Sequence, residues 1–182
     1  MFFGRRHLMT GTSHQITMTG GLEYFIVTNR ANVAQQALNE RWFIEYLEYA
    51  MRWGRGGKRN GVGKKYFLCS SRWLTEINQW AKDKLEYRVL DKEIGFAAWE
   101  YKSPHGIVYL LPTPVLDDNH QDWAFLLDFN HLKYVYLNKR DTKLLVDVQE
   151  NDRDGKKNLY RSDCGIQVNF EHAHGILTGI TV

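Results

Sequence analysis

Cysteine and proline are scarce in this chain of 182 residues, with two and three respectively, and no apolar run approaches the roughly 20 residues that a helix needs to cross a bilayer. Cys69 and Cys164 lie far apart and form no C-x-x-C pair. That excludes a thiolate zinc module and a disulfide-framed secreted domain, and leaves free thiols in a reducing compartment. The longest apolar stretches are short pieces such as IVYLLP, so no membrane is expected as a partner. The opening MFFGRR places its apolar residues ahead of its charges, unlike a signal peptide, and the expectation is a chain made in the cytoplasm. Internal repeats, low-complexity tracts and dividing linkers are also lacking, so residues 1–182 read as a single domain. Its 43% hydrophobic and 14% aromatic residues are enough to build a core.

Acid is missing from one stretch in particular. Between residues 52 and 65 the chain carries Arg52, Arg55, Lys58, Arg59, Lys64 and Lys65 and no carboxylate; the whole chain is only +3, so the remainder stands at −3. The basicity is local, which argues against a uniformly cationic nucleic-acid surface but leaves one loop able to meet phosphate or an acidic neighbour. The core of that loop, GRGGKRNGVGKK, is not a phosphate-cradling P-loop. Gly63 and Lys64 are followed by Lys65 instead of Ser or Thr, Lys58 stands where the earlier glycine belongs, and a helix precedes it instead of a strand.

Hydrophobic spacing gives the elements. TGTSHQITMTGG within residues 1–21 has no helical period and reads as an extended arm or loop. Leu38, Trp42, Phe43, Tyr46, Leu47, Ala50 and Met51 recur at helical spacing, with Asn39 or an earlier polar residue as a cap and Gly54 as a stop. YFLCS then reads as a buried strand, and Ser70 or Ser71 caps a second helix bearing Trp73, Leu74, Ile77, Trp80 and Ala81. Strands follow at EYRVLDKE, at FAAWEYK and GIVYLLP around the turn SPHG, and at FLLDF, LKYVYL, KLLVDVQ, GIQVNF and HGILTGITV. The connections are short, so the expectation is an α+β fold with two main helices and mostly antiparallel strands.

Three clusters invite a chemical reading, and each falls short. His172 and His174, at i and i+2 on an expected strand, would share a face, but a structural zinc wants four ligands and neither cysteine is tied to them. Glu150, Asp152, Asp154 and Gly155 imitate a calcium loop until position 12, where Arg161 replaces the bidentate carboxylate. Asp117, Asp118, His120 and Asp122 bring a base near carboxylates without a nucleophile motif, and a polar turn after Pro114 accounts for them. No metal, cofactor or catalytic residue is implied. Trp42, Trp53, Trp73 and Trp80 are expected in or near the helical core, with Trp53 beside Arg52 and Arg55 placed to anchor a partner chain.

The order of segments resembles the C-terminal portion of a tailed-phage major capsid protein of Hong Kong 97-like fold. The resemblance rests on FFGRR and TGGLEYFI, the amphipathic helix ending in the glycine loop, FLCSSRWLTEINQW, and the run from LKYVYLNKRD to HGILTGI. It implies an axial domain plus part of a peripheral domain, in a structural protein without catalytic residues. Such a protein self-assembles through pentamers and hexamers into the icosahedral head of a tailed bacteriophage. Its place would be the virion, after the host cytoplasm; its further partners would be packaged DNA and scaffolding or portal proteins. Family members carry an N-terminal arm, an extended loop and a spine helix before the FFGRR-like stretch, and these are expected to be missing here. On this resemblance Arg52, Trp53, Arg55, Lys58, Arg59, Lys64 and Lys65 are the candidate subunit-interface or DNA contacts. Two alternatives stand beside it: a nucleic-acid-binding module using loop 52–65, and a hydrolase using His120 or the His172 and His174 pair.

Overall fold

A computed structural model describes residues 2–4, 7–10, 15–35, 38–54, 63–80, 85–91, 96–148 and 155–180. The chain forms two compact units, each assembled from two separate stretches: Met1–Tyr24 with Lys133–Gln167, and Phe25–Leu132 with Val168–Val182.

In the smaller unit, strands β1 (His7–Thr10) and β2 (Gln15–Met18) pair antiparallel, so the arm expected from its Thr- and Ser-rich composition is extended and zipped on itself. A one-turn helix, α1 (Leu22–Phe25), closes this stretch.

The larger unit is a seven-stranded sheet with two helices. Its strands are β3 (Arg30–Asn32), β4 (Gly63–Cys69), β5 (Leu85–Asp91), β6 (Phe96–Ser103), β7 (Gly106–Pro112), β8 (Ala124–Leu127) and β13 (Gly175–Thr178), in the spatial order β3-β13-β8-β4-β7-β6-β5. Helix α2 (Glu40–Met51) starts where Asn39 Oδ1 accepts the Trp42 amide at 2.8 Å, as its spacing predicted. Just past its end, Gly54 has φ +80, a conformation that favours glycine. Helix α3 (Ser71–Trp80) has a cap that sequence did not predict. The Ser71 amide and hydroxyl donate to Asp117 Oδ1 and Oδ2 at 2.7 and 2.9 Å, from the one-turn helix α4 (Pro114–Asp117). Ser70 instead donates its hydroxyl to the Gln121 carbonyl.

Most ladders are antiparallel, including the β6–β7 hairpin at SPHG, where the Ser103 hydroxyl receives the Gly106 amide at 3.1 Å. Two are not: β4 pairs parallel with β7, and β13 with β3. The connection from β4 to β7 runs through α3 and two strands, long enough for the crossover that short loops were expected to forbid.

The core lies on one face of this sheet. Phe43, Leu47, Ala50 and Met51 of α2 and Trp73 and Ile77 of α3 meet Phe67, Tyr101, Val108, Leu110, Leu126 and Leu177. Phe43 touches Phe67, Trp80 and Tyr101 with ring centroids 5.6–5.8 Å apart. The opposite face carries a smaller cluster of Ala98, Tyr109 and Leu111. Central strand β8, AFLL, is buried on both faces, which is why its sequence is continuously apolar.

The chain then returns to the smaller unit with β9 (Leu132–Tyr136), β10 (Lys143–Leu145), β11 (Leu159–Arg161) and β12 (Cys164–Val168). These form two separate two-stranded ladders, β9 with β12 and β10 with β11. Among the described residues, no helix is long and apolar enough to cross a membrane.

Candidate functional site

The basic loop begins where α2 stops. Arg52 is the C-terminal cap of α2; its guanidinium lies 5.5 Å over the Tyr49 ring and 3.9 Å from Glu48, and it stays exposed. Trp53 is half exposed and meets the rings of Phe170 and His172 at 6.3 and 6.4 Å. Arg55, Lys58 and Arg59 lie outside the described residues. Lys64 is exposed on β4.

Lys65, expected on the contact surface with the others, is instead 1% exposed. Alternation along β4 decides this: Lys65, Phe67 and Cys69 point to the helical side, and Lys64 points to water. The Lys65 ammonium donates to the Ala50 carbonyl at the end of α2 and, at 2.6 Å, to the Ala173 carbonyl. It thereby satisfies one of the carbonyls that every helix leaves unpaired at its C-terminus. Burial pulls its pKa down to about 8, with Asp128 acting in the opposite direction. Its sequence signal was the period of two shared with Phe67 and Cys69, hidden by the basic run around it.

Around Lys65 stands a buried polar centre. The Asp128 amide donates to His174 Nδ1 at 3.3 Å, while Asp128 Oδ1 accepts from the Asn130 amide and side chain at 3.0 and 2.9 Å. Among the described residues, His174 Nε2 and Asp128 Oδ2 have no hydrogen-bond partner. Burial first, then the positive charge of Lys65, lowers the His174 pKa to about 4, so the ring is neutral near pH 7. Gly54 covers this centre: a Cβ there would fall 2.7 Å from Asp128 Oδ2 and from the Ala173 Cβ.

The two histidines do not form the shared face expected of a strand. Glu171–Ala173 is a 3-10 turn, which sends His172 outward, 3.2 Å from the Thr28 hydroxyl, and leaves His174 buried. Glu171 clamps the segment at residues 27 and 28, accepting the Val27 and Thr28 amides at 2.6 and 2.5 Å and the Thr28 hydroxyl at 2.8 Å. Partial burial pushes its carboxyl up, but these donors outweigh it and hold the pKa below the usual carboxylate range. No group of three or more His, Cys, Asp or Glu suited to a metal occurs among the described residues. The calcium-like Glu150, Asp152 and Asp154 lie outside them.

In the acidic loop, Asp117 is the cap of α3, and His120 sits edge-on to Trp123 at 6.2 Å. Of the free thiols, Cys69 is buried and pushed up to about 12, chiefly by burial. Cys164 is held below its usual value by hydroxyl donors, Ser162 at 3.4 Å and then Tyr134.

Sequence reasoning did not single out the ribbon β10–β11 and its base. Tyr134, Tyr136, Leu137, Leu144, Val146, Leu159 and Tyr160 are all exposed there, Tyr160 by 73%. The run LKYVYL reads as a strand from sequence, but nothing local tells a strand with two exposed apolar faces from one with a buried face.

Comparison with known proteins places this geometry. A search of curated proteins finds no match. Among solved structures, the chain is similar to the SrpI encapsulin of Synechococcus elongatus PCC 7942 in its holo complex. The TM-score is 0.59 at 12% identity, over 90% of this chain and 59% of the encapsulin. The likeness shows a shared Hong Kong 97-like fold, with the chain spanning just under three fifths of its relative's length. The family model of the SU10 major capsid protein matches residues 1–181, and the chain therefore belongs to the SU10 major capsid protein family.

Proposed function

We propose that this chain is a structural subunit of a tailed-phage head, building an icosahedral shell by association of its own copies and catalysing no reaction. The family match over residues 1–181 carries the reading. The site chemistry supports it, because the groups that could serve a reaction have structural work: Asp117 caps α3, Lys65 ties α2 to the 171–173 turn, and Glu171 fastens residues 27 and 28. On this reading the larger, sheet-and-helix unit is the axial domain and the smaller unit belongs to the peripheral domain. Copies form pentamers and hexamers, in the host cytoplasm before assembly and in the virion after it. Arg52, Trp53 and Lys64, with Arg55, Lys58 and Arg59, are the loop residues available to a neighbouring subunit or to packaged DNA. Lys65 is withdrawn from that set by its burial. A scaffolding protein and a portal are the further partners.

The test is expression of the chain followed by sedimentation velocity and negative-stain electron microscopy, with nucleic-acid titrations at several salt concentrations beside them. Closed particles or capsomer-sized rings are expected, with duplex affinity no tighter than about 10⁻⁶ M at physiological salt. A persistent monomer that binds nucleic acid tightly and with a steep salt slope refutes the reading.

A further inference from the structure

Three rings gather where α2 ends. Trp53 meets Phe170 with centroids 6.3 Å apart and His172 at 6.4 Å, and Phe170 meets His172 at 5.8 Å, which makes a nearly equilateral triangle. Phe170 stands at 85° to Trp53 and 69° to His172, while Trp53 and His172 diverge by 43°, so the rings splay instead of stacking. Trp53 and His172 are exposed and Phe170 is half-buried. Each ring is held: His131 braces Phe170 at 5.6 Å, the Thr28 hydroxyl lies 3.2 Å from His172 Nδ1, and Gly54, with φ +80, turns the chain directly after Trp53.

A cation seated over such a triangle lies within about 6 Å of all three centroids, the range over which ring quadrupoles attract it. A carboxylate stands beside the rings. Glu171 Oε1 takes all three bonds from Val27 and Thr28, which leaves Oε2 with only His172 Nδ1 near it, at 3.8 Å, among the described residues. The described cations nearby are engaged elsewhere: the Arg52 guanidinium is drawn back to Tyr49 and Glu48, and the Lys65 ammonium donates to the Ala50 and Ala173 carbonyls. An accepting oxygen beside three rings selects an organic ammonium with N–H groups over a magnesium ion, which gives up its water reluctantly. Arg55, Lys58 and Arg59 follow Trp53 closely in sequence. Their charge disfavours a ligand with several cationic groups and leaves a single one as the better fit.

We propose that Trp53, Phe170, His172 and Glu171 form a binding site for one primary alkylammonium group, the group that a lysine side chain or a simple monoamine carries. The rings hold its charge and methylene stem, and Glu171 Oε2 accepts one of its N–H bonds. The site stands whether or not the chain builds a shell.

Ligand-observed saturation-transfer NMR tests it on the full chain at any size of assembly, at about pH 8, where an imidazole is uncharged. The probes are Nα-acetyl-lysine methylamide, n-butylamine, tetramethylammonium and spermidine, at matched ionic strength. The lysine derivative should saturate in the millimolar range, with the strongest transfer at its ε-methylene. Trp53→Leu, at an exposed position, should weaken it at least about fivefold. Glu171→Gln, which keeps an oxygen for the Val27 and Thr28 amides, should weaken the lysine derivative more than tetramethylammonium, which has no N–H to donate. Equal affinity for n-butylamine supports a site that reads the ammonium group from either source, and a clear preference for the lysine derivative supports a protein side chain as the source. No transfer to the wild type, or transfer undiminished in Trp53→Leu, overturns the proposal. Spermidine binding more tightly than n-butylamine overturns the single-ammonium assignment, and a Glu171→Gln variant that treats both ammonium classes alike overturns the role given to Oε2.

Discussion

Replacing Lys65 by Met should destabilise the larger unit, and by more at high pH than at neutral pH. The side chain is 1% exposed and holds the carbonyls of Ala50 and Ala173 together. Methionine fills much of the same volume but leaves both carbonyls without their donor and Asp128 without its nearby cation. Hydrogen bonds to a charged donor contribute about 1.5–3 kcal/mol each, about 3–6 kcal/mol for the pair; relief of the buried charge offsets about 3 kcal/mol of this near pH 7, so a loss of roughly 0–3 kcal/mol is expected there and about 3–6 kcal/mol above pH 10.5. That relief sets the pH dependence. The Lys65 pKa is about 8 in the folded chain against 10.5 when unfolded, so between these values the unfolded chain binds more protons and stability rises with pH. The penalty of holding the ammonium in the interior is fully present below pH 8 and gone above about 10.5, a span of about 3 kcal/mol. Urea unfolding of wild type and Lys65→Met at pH 7.5, 9 and 10.5 measures the difference directly. A difference that stays flat across this range, or a variant as stable as the wild type at pH 10.5, would refute the burial argument.

Phe43→Ala should cost about 3–5 kcal/mol in the same assay, because the ring is fully buried among Phe67, Trp80 and Tyr101. Trp42→Ala should cost less, about 1–2 kcal/mol, since that ring is only partly buried at the edge of the core and stacks on Tyr46 at 5.8 Å, and a reversed order would show the helix rotated. Acid should weaken the fold through His174: with a folded pKa of about 4 against 6.5 unfolded, stability declines as pH falls from 6.5 towards 4, by no more than about 3 kcal/mol. His174→Gln should flatten that limb of the stability profile, and a His174 ring seen by NMR to titrate near 6.5 would contradict it.

Local signals carried the elements well. Asn39 and Gly54 bracket α2, Pro104 and Gly106 mark the β6–β7 turn, and FLLDF reads as a strand, because capping, turn geometry and periodicity depend only on neighbours in sequence. Contacts between distant segments were not legible. Nothing near Ser71 shows that its cap comes from Asp117, and nothing in β4 names β7 as a parallel partner. The basic loop misled for a related reason: the cations suggested one solvated surface, whereas the pleat divides Lys64 from Lys65. The two units are interleaved along the sequence, so no linker composition marks where one gives way to the other.

The insertion of β13 between β3 and β8 has a consequence for synthesis. A ribosome releases Arg30–Asn32 early and Ala124–Leu127 much later; β8 can pair with β4 at once, but β3 and the other edge of β8 wait until Gly175–Thr178 has emerged. Until that moment the central strand β8 has an open edge, a template for mispairing in a chain already rich in exposed apolar surface. Strand β13 acts as a keystone. A polypeptide released before residue 175 cannot complete the sheet and leaves β3 unpaired and one edge of β8 open.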